Sequence, residues 1–490
     1  MITDAEALSD DWFSGRRFDV CIIGAGPAGI TLAQRLGRRG VAVGLFEAGA
    51  LEASPESQEV YQGETAGQPY YPLEASRLRF FGGTSNHWGG WTRPLDPHDF
   101  EAKAHHPLGG WPFGKADLDP YAAEADDILD LTAHLPPPDL LAAPELSIEP
   151  RLFRFSRPAT RFGEKFRSDL EQSEAVQVFL NANLIDLRLD EGRRFVSEAV
   201  FRSYRRPAPF SVQARFFVLC LGGIENPRAL LNANSQISAG LGNEHDLVGR
   251  YFMEHPHAPV GRAVVRRPLT WMVVYSPRPE FMRSSRILNF GLRIGDFDQW
   301  NSADFDGALK AGPPCDLAFK ALLAAEMKGE PAPCAAHAGD VFVACEQSLD
   351  PDNRVTLTEE QDRFGLRKAR LEWRLSDMDL RTIHTAALEV GRILAERDVG
   401  RMKVLDWIMN RDLPDGSQLW GGNHHIGTTR MSVGPKEGVV DADAKLYALE
   451  NLYVAGSSVF PTSGHANPTY TIIQLALRQA DHLRKRLGKY

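Results

Sequence analysis

Two adjacent histidines near the end of the chain are the residues best suited to proton transfer or metal binding. His424 and His425 stand in the stretch HHIGTTRM, residues 424–431. An imidazole titrates near pH 6.5, so it can act as an acid, a base or a metal ligand close to neutrality. Two histidines with a purely structural role would show the same sequence. The choice therefore depends on what the rest of the chain places beside them.

A metal site is not predicted. His255 and His257 are two residues apart and would share one face of a strand, as metal ligands can, but no third ligand follows at a suitable spacing. The 5 cysteines contain no CxxC pair, which argues against structural zinc and against a disulfide framework. Cys21 and Cys220 lie in apolar runs, and we expect them to be buried small hydrophobic residues.

Length and composition are those of an ordinary globular protein. With 490 residues, of which 43% are hydrophobic and 24% charged, the chain should form two or more units with cores of their own. A formal charge of −9 argues against nucleic acid as a partner. The first residues lack the apolar segment of a signal peptide, and no apolar run reaches the ~18 residues of a membrane span. We expect a cytoplasmic protein.

A dinucleotide-binding fingerprint opens the chain. The stretch FDVCIIGAGPAGITLAQRL reads as a buried strand, a turn and a helix, with Gly24, Gly26 and Gly29 in the spacing GxGxxG. Such glycines permit the turn, the approach of a pyrophosphate and close helix packing. The following strand ends at Glu47, which suits ribose hydroxyls and disfavours a 2′-phosphate. The motif itself does not distinguish FAD from NAD.

The strands suited to this nucleotide-binding sheet recur far apart in the chain. Apolar runs closed by glycine stand at 214–223 and 451–458, so the nucleotide domain should be discontinuous. Between them, residues 260–420 read as a mixed α+β unit. Its stretch RKARLEWRLS alternates Leu371, Trp373 and Leu375, as a half-buried antiparallel strand would.

A capped helix and an Ala/Pro-rich stretch complete this second unit. Ser376 and Asp379 form a capping box that starts an amphipathic helix. The Ala/Pro-rich stretch at 311–339 interrupts the unit and reads as a loop or lid.

Three stretches resemble the glucose-methanol-choline (GMC) oxidoreductases, a family of FAD enzymes that oxidise alcohols. The first is RLRFFGGTSNHWGGWTRPLDPHDF at 77–100, the second is LCLGGIENPRALL at 219–231, and the third runs from HHIGTTRM at 424 to residue 483. The resemblance thins through 260–410, where the family varies its substrate pockets. It implies an α/β fold, with an FAD-binding Rossmann-like domain and a second α+β substrate domain built on an antiparallel sheet.

The resemblance also implies a division of the chain. We expect FAD-binding segments at 16–120 and 176–258, a cap or substrate segment at 121–175, a substrate domain at 259–420, and a C-terminal catalytic and FAD-binding segment at 421–490.

The resemblance assigns sixteen residues to FAD. The segment 83–87 would lie near the flavin ring, and residues 456–457 near its ribityl-phosphate arm. The expected FAD contacts are Gly24, Gly26, Pro27, Ala28, Gly29, Glu47, Ala48, Gly83, Thr84, Asn86, His87, Gly222, Gly456, Ser457, Pro468 and Thr469. In some relatives of the family a histidine in a similar stretch is bonded covalently to the flavin, while other relatives bind FAD without such a bond. His87 could therefore carry a covalent flavin or lie beside a non-covalent one.

In the register of the family, His424 is the catalytic base and Asn467 its partner. His425 should point elsewhere, because neighbouring residues of an extended segment face opposite sides. Asn467 has a second interpretation, since Asn-Pro ahead of an apolar stripe is also typical of a helix N-cap followed by proline at the first helical position. Glu346 and Gln347 likewise suit either the substrate side of the site or a structural role at the domain junction.

The resemblance implies an oxidoreductase acting on a sugar, glycoside, polyol or other small alcohol. His424 would take the hydroxyl proton, Asn467 would bond the same oxygen, and hydride would pass to flavin N5. The electron acceptor, whether dioxygen, a quinone or a carrier protein, is left open. The alternative is a non-redox lyase on the same flavin-binding scaffold. An NAD-dependent dehydrogenase would not require the C-terminal stretch YVAGSSVFPTSGHANPT.

Overall fold

The structure is a computed structural model that describes residues 1–9, 11–131, 141–156, 158–206, 208–265, 273–295, 328, 338–412, 416 and 418–488. The predicted loop or lid at 311–339 falls outside the described residues except for 328, 338 and 339. Cys21 and Cys220 are buried with free thiols, as expected.

Eighteen strands and ten α-helices are present in the described part of the chain. The strands are β1 (Ile2–Asp4), β2 (Arg17–Ile23), β3 (Val43–Phe46), β4 (Gly63–Gly67), β5 (Ile148–Leu152), β6 (Val176–Leu180), β7 (Asn183–Leu189), β8 (Val196–Arg202), β9 (Phe210–Leu219), β10 (Pro256–Val265), β11 (Val273–Pro277), β12 (Phe290–Gly295), β13 (Ala338–Cys345), β14 (Arg354–Gln361), β15 (Arg367–Trp373), β16 (Gly400–Val404), β17 (Trp420–Gly421) and β18 (Leu452–Val454). The helices are α1 (Pro27–Gly37), α2 (Pro55–Gln58), α3 (Ala122–Ile128), α4 (Phe162–Lys165), α5 (Arg167–Gln172), α6 (Gly222–Asn232), α7 (Pro279–Ser285), α8 (Asp377–Glu396), α9 (Asp406–Asn410) and α10 (Thr469–Arg486).

The first sheet carries the predicted nucleotide fold. Its strand order is β1-β6-β3-β2-β9-β8-β7, and β18 also pairs with β9. The pairs from β1 to β9 and the pair of β18 with β9 are parallel, whereas β7, β8 and β9 pair antiparallel. The strands predicted from the apolar runs near residues 20, 215 and 452 therefore lie side by side. The prediction that distant parts of the chain share one parallel sheet is confirmed.

Helices α1 and α10 cover one face of this sheet. Ile30 and Ala33 of α1 pack in the same apolar core as Ile473 and Leu477 of α10. The opposite face packs a second apolar core that contains Cys21, Phe46 and Phe217. Both faces of the parallel strands are buried, which explains why these strands are continuous apolar runs rather than alternating ones.

The second sheet is antiparallel, as expected for the substrate unit. Its order is β16-β10-β13-β12-β11-β5, and β17 pairs with one end of β10. Helix α8 packs its apolar stripe on this sheet through Ile383, Val390 and Leu394. The predicted capping box is present, because Ser376 accepts the amide of Asp379 and the Asp379 side chain accepts the amide of Ser376.

A third, small sheet holds the alternating strand. In β15, Leu371 and Trp373 are buried and β14 pairs with it antiparallel, so a half-buried antiparallel strand is confirmed. Its other edge pairs in parallel with β4, some 300 residues earlier in the chain, a contact that local pattern does not reveal. Leu375 lies beyond the strand and is only partly buried, because the chain turns there into the cap of α8.

Candidate active site

A cavity of about 800 Å³ lies between the nucleotide sheet and the antiparallel sheet. One end is formed by the turn after β2 and by Glu47, and the other by β12, β13 and the segment 420–425. Its volume falls in the range of cofactor and ligand pockets. Most of the residues predicted for FAD line it: Gly24, Gly26, Pro27, Ala28, Glu47, Ala48, Gly83, Thr84, His87, Gly222, Gly456, Ser457, Pro468 and Thr469.

The glycine turn has the shape needed to admit an anion at the start of α1. A Cβ on Gly29 would lie 1.9 Å from the carbonyl oxygen of Gly24, so this glycine allows the helix to pack against the turn. A Cβ on Gly26 would meet nothing within 4 Å, and Gly26 is both the N-cap of α1 and part of the cavity wall. The space beside Gly26 thus fits a pyrophosphate at a helix N-terminus.

Glu47 is oriented by the backbone. Its two carboxylate oxygens accept the amides of Ala25 at 2.8 Å and Gly49 at 3.0 Å. A carboxylate has about four acceptor positions, so these two bonds leave capacity for ribose hydroxyls on the cavity side. The donor and acceptor groups at this end fit an FAD molecule.

Two predicted FAD residues do not line the cavity. Gly29 faces the turn that it packs against. The side-chain amide of Asn86 donates to the carbonyl oxygen of Phe81 at 2.9 Å and so supports the short 3-10 turn of Gly83–Asn86. Both residues shape the wall rather than face the space inside it.

A buried ion-pair network that the sequence interpretation missed supports the wall near α6. Glu225 accepts hydrogen bonds from Arg77 at 2.9 Å and from Arg228 at 3.0 Å, and Arg228 also pairs with Asp362 at 2.6 Å. Because both arginines have carboxylate partners, the burial of these charges is compensated. The spacing of Glu225 and Arg228, three residues apart on a helix, was the available signal.

His424 and Asn467 meet at the other end of the cavity. The side-chain nitrogen of Asn467 is 3.2 Å from Nε2 of His424, and both residues line the cavity. The alternative role of Asn467 as a helix N-cap is wrong. Helix α10 begins at Thr469, Pro468 occupies the cap position, and no side chain caps it. The amide group of Asn467 is used by His424 instead.

His425 points to a different set of partners, as predicted. Its Nε2 is 3.0 Å from the hydroxyl of Tyr70, and its ring lies against Phe252. Its carbonyl oxygen accepts a hydrogen bond from the Ser457 hydroxyl at 2.7 Å, which ties the segment to the turn after β18.

Glu254, which no motif indicated, holds the backbone of the histidine segment. Its carboxylate accepts the amides of His255 at 2.9 Å, Gly422 at 3.0 Å and His424 at 3.1 Å, and it also accepts the hydroxyl of Tyr70. Burial raises the pKa of Glu254 to about 7, although these hydrogen bonds act to lower it. The residue lies beside His255 in sequence but 170 positions from His424.

Burial keeps a group of histidines around this carboxylate neutral. Desolvation lowers the pKa of His255 to about 4 and the pKa values of His257 and His425 to about 3. The pKa of His424 is also lowered well below its ordinary value, first by desolvation and then by the neighbouring histidines. An uncharged imidazole has a free lone pair, which a base requires.

We predict that the protein loses stability as the pH falls from about 6.5 towards 4. The unfolded chain protonates these four histidines near pH 6.5, but the folded chain does so only at lower pH, so unfolding is favoured across this window. Glu254 and Asp379, with pKa values raised to about 7 and about 6, act in the opposite direction but are fewer. The free energy of unfolding should fall by about 1–3 kcal/mol per pH unit.

Thermal melting at fixed FAD concentration between pH 6.5 and 4.5 measures this. A melting temperature that stays constant or rises on acidification would contradict the prediction.

The other residues considered from sequence have structural roles. Glu346 accepts the amide of Asn289 at 3.0 Å and pairs with Lys103 at 3.3 Å. Gln347 accepts the amide of Glu254 at 2.8 Å and the indole N–H of Trp373 at 3.0 Å. Neither glutamate nor glutamine is part of the cavity wall, so both belong to the domain junction.

One group of side chains in the described part of the chain has a spacing that metal ligands can have. It consists of Asp96, His98 and Asp99. Both carboxylate oxygens of Asp96 accept a hydrogen bond from Arg93 at 2.8 Å, and Asp99 accepts one from the side chain of Asn289 at 2.7 Å. These partners account for the burial of both carboxylates.

Comparison with known proteins decides the family. Residues 350–476 match the family described as GMC oxidoreductase, and residues 17–58 match the FAD binding domain. The chain belongs to the GMC oxidoreductase family. It is an FAD-dependent oxidoreductase of the type that acts on CH–OH groups.

Relatives of this GMC oxidoreductase include dehydrogenases. It is 25% identical to 2-methyl-1,2-propanediol dehydrogenase of Mycolicibacterium austroafricanum, over 97% of this chain and 96% of that protein. It is 28% identical to the fructose dehydrogenase large subunit of Gluconobacter japonicus, over 55% of this chain but only 47% of that protein.

Solved structures share the fold. Formate oxidase of Aspergillus oryzae has a TM-score of 0.60 at 16% identity and covers 97% of this chain and 100% of its own. Pyridoxine 4-oxidase from Mesorbium loti has a TM-score of 0.56 at 19% identity, over 95% of this chain and 99% of its own. Among the helices that the structure describes, none is both long and apolar enough to span a bilayer.

Proposed function

We propose that this GMC oxidoreductase oxidises a CH–OH group of a sugar, glycoside, polyol or other small alcohol, with His424 as the base. The observation that carries the proposal is the approach of Asn467 to Nε2 of His424, at 3.2 Å, on the wall of the cavity that Gly26 and Glu47 also line. Relatives named for a propanediol, for fructose and for C-glycosides support this substrate class.

The chain's own groups would hold FAD along the cavity. The backbone at Gly24 and Gly26 and the start of α1 would bind the pyrophosphate, and the carboxylate of Glu47 would bind the ribose. The turn at Gly456 and Ser457 and the start of α10 would close the opposite side. When bound, FAD supplies the two-electron acceptor for the hydride of the alcohol carbon.

His424 would take the proton of the substrate hydroxyl at Nε2. Burial keeps the imidazole neutral, so Nε2 can carry a lone pair, and the substrate hydroxyl would replace Asn467 as the donor to it. Asn467 would orient the hydroxyl by hydrogen bonding to the same oxygen, because its amide group already lies beside Nε2. Glu254 would keep the histidine in place through the backbone amide of His424.

The wall around His424 supports an alcohol with an apolar face and several polar positions. Trp91, Trp420 and Phe342 present aromatic rings, and His257 and Arg293 supply polar atoms. A site that combines aromatic rings with a few polar groups suits the alternating CH and OH faces of a sugar or polyol.

Anaerobic mixing of the purified flavoprotein with sugars, glycosides, polyols and aryl alcohols tests the proposal. We expect at least one sugar, glycoside or polyol to bleach the flavin absorbance. A protein whose flavin is bleached by dithionite but by none of these alcohols would instead support the non-redox lyase. Re-oxidation of the bleached protein with air, a quinone dye or a carrier protein then identifies the class of electron acceptor.

We further propose that FAD is bound without a covalent bond. The glycine turn, Glu47 and the start of α10 line the cavity together with His87, so non-covalent contacts would enclose the cofactor from several sides. Precipitation with acid should therefore release the yellow chromophore into the supernatant. A yellow pellet after washing would contradict this, and loss of that colour in His87→Ala would assign the bond to His87.

The division of the chain proposed from sequence is supported by sheet membership. The nucleotide sheet takes β2 and β3 from the segment 16–120 and β6 to β9 from 176–258. The antiparallel sheet takes β5 from 121–175 and β10 to β13 from the region around 259–420. Strand β1 also joins the nucleotide sheet, so we propose that the first FAD-binding segment begins at residue 2.

A further inference from the structure

The proposed function places a requirement on the tautomer of His424. A neutral imidazole carries one N–H and one lone pair, and these occupy different nitrogens. His424 can accept a hydroxyl proton on the side of Asn467 only when the lone pair is on Nε2. Some other group must therefore keep the proton of the neutral ring on Nδ1.

His255 lies where that group must be. Its Nδ1 is 2.8 Å from Nδ1 of His424, and the two rings meet edge to face with centroids 4.9 Å apart. Two ring nitrogens at hydrogen-bond distance need one donor and one acceptor. The contact itself fits either direction of donation.

The second nitrogen of His255 determines the direction. Its Nε2 is 3.3 Å from the carbonyl oxygen of Ser463, and a carbonyl oxygen only accepts hydrogen bonds. Nε2 of His255 therefore carries the hydrogen. Burial lowers the pKa of His255 to about 4, so the ring is neutral and holds no second proton. Its Nδ1 is consequently the acceptor, and Nδ1 of His424 is the donor.

We propose that His255 is a positioning residue that fixes the tautomer of His424 and so leaves Nε2 of His424 ready to accept a proton. This inference rests on the proposed function, in which His424 is the base. The hydrogen bonds all run in one direction: Asn467 donates to Nε2 of His424, Nδ1 of His424 donates to Nδ1 of His255, and Nε2 of His255 donates to Ser463.

The same arrangement serves the protonated state. When His424 gains a proton on Nε2, the hydrogen on Nδ1 keeps its acceptor in His255 and no ring has to rotate. The proton cannot travel further, because the carbonyl oxygen of Ser463 does not take up a proton from Nε2 of His255. The other titratable groups around His424 are His257, His425 and Glu254, the last acting on the backbone amide.

Glu254 fixes the geometry on which this contact depends. One oxygen of its carboxylate accepts the backbone amides of both His255, at 2.9 Å, and His424, at 3.1 Å. The two histidines thus share one anchor although they are 169 residues apart in the chain. A shared anchor holds both backbones at a constant separation, which a hydrogen bond between two rings requires.

A matched pair of variants separates tautomer control from packing. In His255→Asn, the side-chain oxygen takes the place of the imidazole Nδ1 and still accepts from His424, whereas His255→Leu fills a similar volume without an acceptor. We expect the rate of flavin reduction at saturating alcohol to fall at least about 10-fold in His255→Leu and to stay within about 3-fold of wild type in His255→Asn, since a wrong tautomer disables a general base.

NMR of ¹⁵N-histidine-labelled protein gives the readout that does not depend on turnover. The His424 signals are assigned as those missing from a His424→Ala sample. In wild type and in His255→Asn they should show a protonated Nδ1 and a bare Nε2. In His255→Leu a population with hydrogen on Nε2 should appear.

Hydrogen on Nε2 of His424 in the wild-type protein would overturn the inference, with no variant needed. Equal loss of rate in both variants with unchanged His424 signals would also overturn it and leave His255 a packing role. Failure of the proposed function would give a different result. The alcohol would then reduce the flavin of the His424→Ala variant at the wild-type rate, whatever tautomer the NMR spectrum shows.

Discussion

Replacing His424 with alanine is expected to slow flavin reduction by an alcohol about 10²–10⁴-fold while the protein keeps its FAD. Removal of a general base commonly costs this much. His424 lies at the end of the cavity remote from the glycine turn, and its ring nitrogens contact Asn467 and His255. The loss of the imidazole should therefore leave the groups that would bind the nucleotide unchanged. Anaerobic stopped-flow absorbance gives the rate.

His245→Ala is the matched control. His245 is an exposed histidine in a surface turn that does not line the cavity, so this variant should reduce its flavin at the wild-type rate. An unchanged rate in His424→Ala, with FAD bound, would remove His424 from the role of base. Loss of FAD from His424→Ala would show that the residue serves cofactor binding instead.

Replacing Gly26 with valine is expected to leave a folded protein that binds FAD at least about 100-fold more weakly, which corresponds to roughly 2.7 kcal/mol. Gly26 has φ of −83°, which every L-residue adopts, and a Cβ there would touch nothing. The new side chain would instead project into the space at the start of α1 that fits the pyrophosphate. Fluorescence titration of the apoprotein with FAD measures the affinity, and circular dichroism checks the fold.

Gly114→Val provides a control for the glycine substitution itself. Gly114 is also an N-cap with negative φ and open space around its Cβ, but it does not line the cavity. We expect this variant to bind FAD as the wild type does. Stoichiometric FAD in purified Gly26→Val would contradict the placement of the pyrophosphate.

The nucleotide fold could be predicted because its signals are local. A buried parallel strand is a continuous apolar run, and the turn after it needs glycine where Gly29 packs against Gly24. The capping box at Ser376 is likewise contained within four residues. Such features depend on residues that are close in the chain, so the amino-acid sequence alone predicts them.

The site could be predicted only in part because its decisive contacts join distant segments. Asn467 before a proline suits a helix cap as well as a partner of His424, and only the folded chain shows its contact with His424. Glu254 looks like a single acidic residue in an apolar stretch until three backbone amides converge on it. The contact of His255 with His424 crosses 169 residues, a distance that no spacing rule covers.

A crystal structure of the protein with FAD bound tests the central claim most directly. We predict that the flavin ring lies at the end of the cavity where Nε2 of His424 and the side-chain nitrogen of Asn467 meet, with both atoms facing it across the space for the alcohol. A flavin ring placed elsewhere, or a ring face with neither side chain over it, would contradict the account.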